Sequence, residues 1–576
     1  MKAKSDAPVK REREFTWTAV VLGVILAVVF GAANAYLGLR VGLTVSASVP
    51  AAVISMGVLR IILRRDSILE NNMVQTIGSA GESLAAGAIF TLPALYLWAE
   101  ERPAEFSVPE ILPITLIALA GGLLGTLLMV PLRRPLIVEE KTLPYPEGHA
   151  CAEVLKAGEA GAKHTVAVFS GLGLAMAAKF VTGWLKLVPE TFFWPIRAMR
   201  GAIGMELSPA LLGVGYIVGP RVSALLFSGA MLGWMVLIPL VSAFVPEAAE
   251  LYEASGIKAV WRTYVRFIGA GAIATGGFIS LVRSMPLFVG TFRASMKSAK
   301  SAAEGDGGDI PIRLVVGGLV CIIVFIWAVP SVPVGFVGAL LIAVFGFFFA
   351  AVSARMVGLV GSSNNPVSGM TIATLVVSTL AIRATGPAGA AGMVAAIAIG
   401  SVVCIVAAMA GDTAQDLKTG HIVGATPWKQ QVGELLGAVA AALAIGCVLV
   451  LLHRAWGFGS DAISAPQATM MKAIVEGVMG GDLPWGMFAI GAGLAIALAV
   501  FRVPVMPVAI GIYLPVGLSV AMFAGGLVRS AVKRRRGAGG SDASSDEDTG
   551  TLFSAGLVAG EGLCGIILAG LSIAFR

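Results

Sequence analysis

Apolar residues fall in long stretches separated by short polar segments. A stretch of about 20 residues with few charges can cross a bilayer as a helix. Such runs lie at 15–40, 43–63, 72–98, 110–132, 163–188, 264–290, 313–329, 333–355, 367–382, 388–410, 430–452, 484–501 and 552–574. Two longer runs, 205–245 and 503–528, are cut by Gly and Pro, so each can hold more than one crossing. The pattern predicts roughly 14–17 transmembrane helices, the spread coming from the interrupted runs. Polarity does not alternate along them as it does in barrel strands. The predicted fold class is an all-α polytopic membrane protein with broken or re-entrant segments.

The chain also repeats itself in order. Val41-Gly42-Leu43, Ser46 and Pro50 recur as Val357-Gly358-Leu359, Ser362 and Pro366, and Gly81-Glu82 recurs as Gly433-Glu434. Pro146 and Pro466 each open a polar-to-amphipathic helix, and Pro209, Gly213, Tyr216 and Pro220 are echoed by Pro507, Gly511, Tyr513 and Pro515. Two pseudo-symmetric halves follow, 15–292 and 333–576, joined by a linker 293–332 that holds the run 313–329 as an extra helix. If that extra run crosses the membrane, the halves are opposite in orientation. Loop charge agrees, since 246–253 is acidic and its counterpart 529–536 is basic.

Composition excludes a string of soluble domains: 13% of residues are charged, against about 25% in soluble proteins. The basic amino end precedes an apolar run longer than a signal-peptide core and without a cleavage site. Residues 1–14 are therefore expected to be a cytoplasmic amino terminus. Basic clusters at Arg60–Arg65, Arg133–Lys141, Arg293–Lys300 and Lys533–Arg536 should share that side, and acidic 99–110 and 246–253 should face outward. The segment 533–550 has the composition of a disordered cytoplasmic loop. The net charge of +7 sits largely in such loops and does not indicate nucleic acid. Five cysteines, placed singly, form neither a disulfide framework nor a CxxC zinc pair.

Ionisable residues inside spans suggest function by default. Glu82 is the clearest, Glu434 holds the matching repeat position, and Glu561 lies in a third Gly-Glu-x-Leu context. Burial disfavours the charged form of a carboxyl, so such groups are candidates to take up and release a proton. A structural carboxyl bonded between helices is the alternative. In 143–159, a helix beginning at Glu147 could bind an anionic group such as a peptide carboxylate at its amino end, or simply cap the cytoplasmic side. Glu147, His149 and Cys151 do not share one helical face, so no tight metal site is expected. Asn71, Asn72 and Gln75 precede Glu82, and Ser362, Ser363, Asn364 and Asn365 precede Pro366. Tyr216, Pro220 and Arg221 lie deep in an interrupted run, with Tyr513 the counterpart of Tyr216. These residues either touch substrate or repair the hydrogen bonds of broken helices. The stretch 410–431 reads as a polar, solvated loop. Nucleophile–His–acid triads, Walker loops and HExxH motifs are missing, which removes the simplest pump and hydrolase readings.

Six segments in order resemble the oligopeptide transporter family, its prokaryotic branch in composition, which includes yellow-stripe-like metal-chelate carriers. They are NAYLGLRVGLTVSAS (34–48), ENNMVQTIGSAGES (70–83), LPYPEGHACAEVL (143–155), MELSPALLGVGYIVGPR (205–221), SSNNPVSGMTIAT (362–374) and AGDTAQDLKTGHIVGATPWKQQ (410–431). The resemblance implies about 16 spans in two halves and proton-coupled uptake of small peptides or of metal bound to a small chelator. The family's Asn-Pro-Tyr reads Asn34-Ala35-Tyr36 here, which leaves the position of the first helix's break open. The expected function is a proton-driven symporter importing oligopeptides or peptide-like metal chelates across the cytoplasmic membrane, with no cofactor and no resident metal. Asn34, Tyr36, Asn72, Gln75, Tyr145, Glu147, His149, Tyr216, Arg221, Asn364, Asn365 and Tyr513 are the candidates to line the substrate path. A passive channel is one rival. A membrane-embedded enzyme using Glu147 and His149 is another, but it needs a third converging group, and none is evident. The partners expected are cargo, protons and the bilayer, with a homodimer left open.

Overall fold

The computed structural model describes residues 13–65, 67–141, 143–156, 161–279, 282–283, 286, 308–362, 365–387, 389–480, 485–536 and 543–574. In the first half, α1 (Trp17–Val41) is capped by the Thr16 hydroxyl, which accepts from Ala19 N–H at 3.1 Å. It runs unbroken through Ala35 and stops at Gly42 (φ 75°). After 43–47 come α2 (Ser48–Gly57), α3 (Ile68–Ile89), α4 (Pro93–Glu101), α5 (Ile111–Arg133) and the half-helix α6 (Pro146–Lys156). Next are α7 (Gly161–Lys179) and a hairpin of β1 (Thr191–Ile196) and β2 (Gly201–Glu206), which no apolar periodicity had marked. The half ends with α8 (Pro209–Met231), α9 (Ile238–Phe244), α10 (Pro246–Ser255), α11 (Ile257–Val260) and α12 (266–279).

The extra helix is α13 (Ile312–Ala328). The second half holds α14 (Gly335–Val360), α15 (Val367–Thr385), α16 (Gly389–Val423), α17 (Pro427–Trp456) and the half-helix α18 (Pro466–Met479). It closes with α19 (Trp485–Val500), α20 (Val505–Tyr513), α21 (Val516–Arg536) and α22 (Ala543–Ala574). Eleven helices among the described residues are long and apolar enough to cross a bilayer, and three shorter apolar helices accompany them. The Lys533–Arg536 cluster ends α21 as helix and does not open a loop; 537–542 lie outside the described residues.

Two devices relate the halves. Gly42 closes α1 and Gly361 (φ 86°) closes α14, each with its N–H on a carbonyl four residues back. The half-helix of one half docks on the break of the other. Tyr145, just before α6, donates its N–H to Gly358 at 2.8 Å, and Ala465, just before α18, donates to Leu39 at 2.8 Å. Both residues sit at φ 44°, where a side chain is strained. Gly42 therefore corresponds to Gly361, three residues beyond the Gly358 that the sequence match selected.

Close packing supplies the second device. A Cβ on Gly215 would overlap the Met522 carbonyl, and one on Gly511 the Leu226 carbonyl; Gly229 meets Val508 and Gly525 meets Leu212 in the same way. Gly215 and Gly511 stand 296 residues apart, as do Leu226 and Met522, so the contacts exchange under one shift. α8, broken at Gly219 (φ 85°), thus matches α20–α21, broken at Leu514-Pro515, and the two run antiparallel. Equivalent helices that pack antiparallel are related by an axis across them, which sets the halves in opposite orientation.

Candidate functional site

The two breaks face each other across a cavity of about 260 Å³, walled by Gly42–Thr44 from the first half and by Ser362, Asn365 and Pro366 from the second. Behind it stand α3 and α16, whose apolar windows are each 94% buried, so protein rather than lipid surrounds them. That setting permits polar side chains which a lipid-facing helix could not carry.

Glu82, on α3, lines this cavity. Asn34 donates to its Oε1 at 3.0 Å, and the Ala47 N–H, freed by the first break, reaches Oε2 at 3.4 Å. Asn34 also accepts from the Val45 N–H at 3.3 Å, so one amide ties the break to the acid. Asp412, on α16, repeats this at the second break, where Ser362 donates to Oδ1 at 3.3 Å. Ser83 lies within reach of both acids. One turn further along α16, Asp416 accepts from Ser48 at 3.2 Å, from Gln75 at 2.5 Å and from Ser79. Its carboxyl also meets that of Glu434 on α17. No donor reaches either Glu434 oxygen, and Asp412 Oδ2 is likewise unserved. Two carboxyls can hydrogen-bond only if one carries a proton, because an ionised carboxylate is an acceptor alone.

Glu82, Asp412, Asp416 and Glu434 thus form a chain of acids, each no more than 5% exposed. Among the described residues none of the four is ion-paired with Lys, Arg or His. No group of three His, Cys, Asp or Glu among those residues is placed to hold a metal.

A family model described as OPT oligopeptide transporter protein matches residues 14–572. The chain belongs to the oligopeptide transporter family. It is 36% identical to a Haemophilus influenzae protein named "Putative oligopeptide transporter", covering 93% of this chain and 92% of that one. It is 24% identical to the iron-phytosiderophore transporter YSL15 of Oryza sativa subsp. japonica, over 78% of this chain and 73% of that one. It is 25% identical to the metal-nicotianamine transporter YSL3 of Arabidopsis thaliana, over 90% and 84%. The family is one of transporters, not enzymes.

Within this transporter, the residues expected from sequence separate into groups. Glu82, Asn34, Gln75, Asn365 and Glu434 gather around the cavity and its acid chain, with Glu147 against Gly361 at the second break. Asn365 donates to Ser353 at 2.7 Å, and Asn72 is buried with neither amide atom partnered. Tyr145 is buried and donates to the Leu136 carbonyl at 3.1 Å, a helix-docking role. The Tyr513 hydroxyl has the Ser464 carbonyl at 3.1 Å and the Thr469 hydroxyl at 2.9 Å as alternative acceptors for its one proton, and it accepts from Arg266 at 2.5 Å. The Arg529 guanidinium lies over the Tyr216 ring, while Arg221 and His149 are exposed. Asn364 lies outside the described residues.

Glu561 belongs to a different network. It accepts from Ser208 and the Ala210 N–H at 2.8 Å and pairs with Arg40 at 3.2 Å; Arg40 also binds Glu206 and, at 3.2 Å, the Tyr36 hydroxyl.

The stretch 410–431 is not a solvated loop. α16 continues to Val423 and buries Asp412, Gln415 and Asp416 in its carboxyl-terminal half. A signal was present: Asp412 and Asp416 are four apart, hence on one helical face, and no proline separates Gly389 from Thr426. The helical order also unpairs Glu82 from Glu434. α3 matches α16 in helical order, and Glu434 sits on α17, the match of α5; the acid that touches the second break as Glu82 touches the first is Asp412. Gly-Glu-x-Leu is short enough to recur by chance in a chain with 72 glycines.

Proposed function

We propose that this transporter imports small peptides or peptide-like metal chelates across the cytoplasmic membrane in symport with protons, its amino terminus lying in the cytoplasm. The observation that carries the coupling is the acid chain without a cation, running from the cavity wall at Glu82 through Asp412 to the Asp416–Glu434 pair. An acid buried this way serves a transporter by exchanging a proton as access alternates. Glu561, held by Arg40, is in this reading a fixed charge and not a proton carrier. The cargo reading rests on the relatives, which are named for oligopeptides, phytosiderophore iron and metal-nicotianamine.

Proteoliposomes given an inward proton gradient should accumulate tri-alanine or Ni(II)–nicotianamine, and a protonophore should reduce uptake to the rate of exchange. Glu82→Gln should behave as the wild type does with protonophore. Full gradient-driven uptake by Glu82→Gln would remove that residue from the coupling, and uptake indifferent to the protonophore would remove protons altogether.

A further inference from the structure

A second cavity, of about 810 Å³, opens at the end of α1 away from the amino terminus. Small-molecule sites commonly measure about 300–1,000 Å³; this cavity lies well inside that range and the central one, at about 260 Å³, just below it. The last turns of α1 separate the two: Tyr36 and Arg40 line the larger, and Gly42–Thr44 line the smaller.

Charge in this vestibule is layered. Its floor is neutralised, because Arg40 is held by Glu206 and Glu561, and Lys179 by Glu190 at 2.8 Å. The mouth is not. Lys186 makes no ion pair among the described residues, and Lys258 reaches Asp461 only at 3.7 Å. Arg262 already holds that same carboxylate at 2.8 Å. Two cations at the mouth therefore share less than one acid. Beside them Tyr36 and Trp456 stand with ring centroids 5.6 Å apart, an apolar wall for the body of a ligand.

We propose that the vestibule is a docking site where cargo waits before the central cavity opens, and that Lys186 and Lys258 recognise its carboxylate. Cargo as such is taken from the transport reading above; the charge and size selectivity are not. A carboxylate seated here lies next to the Arg40 network, on the last turns of the helix that ends at the first break, so docking and opening share one helix end.

The test is calorimetric binding to the full-length protein, wild type and Lys186→Gln/Lys258→Gln. Both lysines project from the surface, and an unchanged melting temperature checks that the variant folds. The probes are tri-alanine, its carboxamide, Ni(II)–nicotianamine and the carboxylate-free Ni(II)–triethylenetetramine. The carboxylate-bearing pair should bind the wild type, lose about tenfold in affinity in the double variant and weaken with added salt; the other pair should bind at least tenfold more weakly throughout. Equal affinity in wild type and variant, or no binding by the wild type, overturns the vestibule even if proton-driven uptake is intact. Loss of affinity in a protein that accumulates nothing would leave the vestibule standing and remove the transport reading.

Discussion

Asp416 is the residue whose replacement separates a proton relay from a structural acid. In Asp416→Asn the amide oxygen still accepts from Ser48 and Gln75, the bonds seen at 3.2 and 2.5 Å. The new amide nitrogen replaces Oδ2, and the Ser79 hydroxyl can turn to accept from it while donating to the Thr76 carbonyl at 3.1 Å. One hydrogen bond is exchanged, so the fold should change by no more than about 1.5 kcal/mol. Asp416→Ala instead strands the Ser48 and Gln75 donors in the core, at about 1–3 kcal/mol each, while Ser79 still has the Thr76 carbonyl. Thermal melts in detergent should therefore show the Asn variant near wild type and the Ala variant clearly lower. In proteoliposomes, Asp416→Asn should lose accumulation driven by a proton gradient yet keep counterflow exchange, which needs no net proton movement. Normal accumulation by Asp416→Asn would refute the relay. Equal melting of the Asn and Ala variants would refute the donor network from which the magnitude is drawn.

Two further substitutions address the frame. Arg40→Gln leaves Glu206 and Glu561 buried without their cation, and should lower stability by about 3–5 kcal/mol; adding Glu561→Gln should restore part of it, and a single variant melting at the wild-type temperature would contradict the pairing. Gly215→Val and Gly511→Val each drive side-chain atoms into a facing carbonyl, and should cost more than about 4 kcal/mol apiece. Because the two glycines are equivalent, size-exclusion profiles of the purified variants should fail alike, and one variant behaving as wild type would argue against the two-fold relation.

What the sequence revealed follows from what lipid enforces. A crossing requires about 20 apolar residues, so the helices show plainly, as do the breaks marked by Gly42 and the Pro366 region. Glu82 was legible because nothing polar belongs so far inside such a run. The same reasoning hid Asp412 and Asp416. It ended α16 near residue 410, where enough apolar length had accumulated, but α16 lies at the centre of the protein and has no bilayer limit on its polarity. Register escaped for another reason. Short glycine motifs recur by chance in such a chain, and only the cross-docking of α6 and α18 reveals that Gly42 answers to Gly361. The β1–β2 hairpin, six residues a strand, lay between apolar runs and carried no period long enough to read.

The halves share a scaffold but not a chemistry. Each contributes a glycine break, an acid beside it and a half-helix that docks on the other's break. Beyond that the polar content diverges. The half-helix at the second break presents Glu147, and the one at the first presents Gln467, an amide in the matching place. Asp416 lies one turn past Asp412, whereas one turn past Glu82 stands Ala86. Glu434 is on α17, while its match α5 bears no charge from Ile111 to Leu132. If two-fold equivalence were complete, the states open to either side would have equal proton affinity, and a proton could not shift the balance between them, since a ligand moves an equilibrium only by its differential affinity. The added acids lie off the symmetry, all against the second break or on the side of α16 toward the amino terminus. Under the proposed coupling, that departure from symmetry lets protonation favour one orientation, and the duplicated hinges let the chain adopt the other.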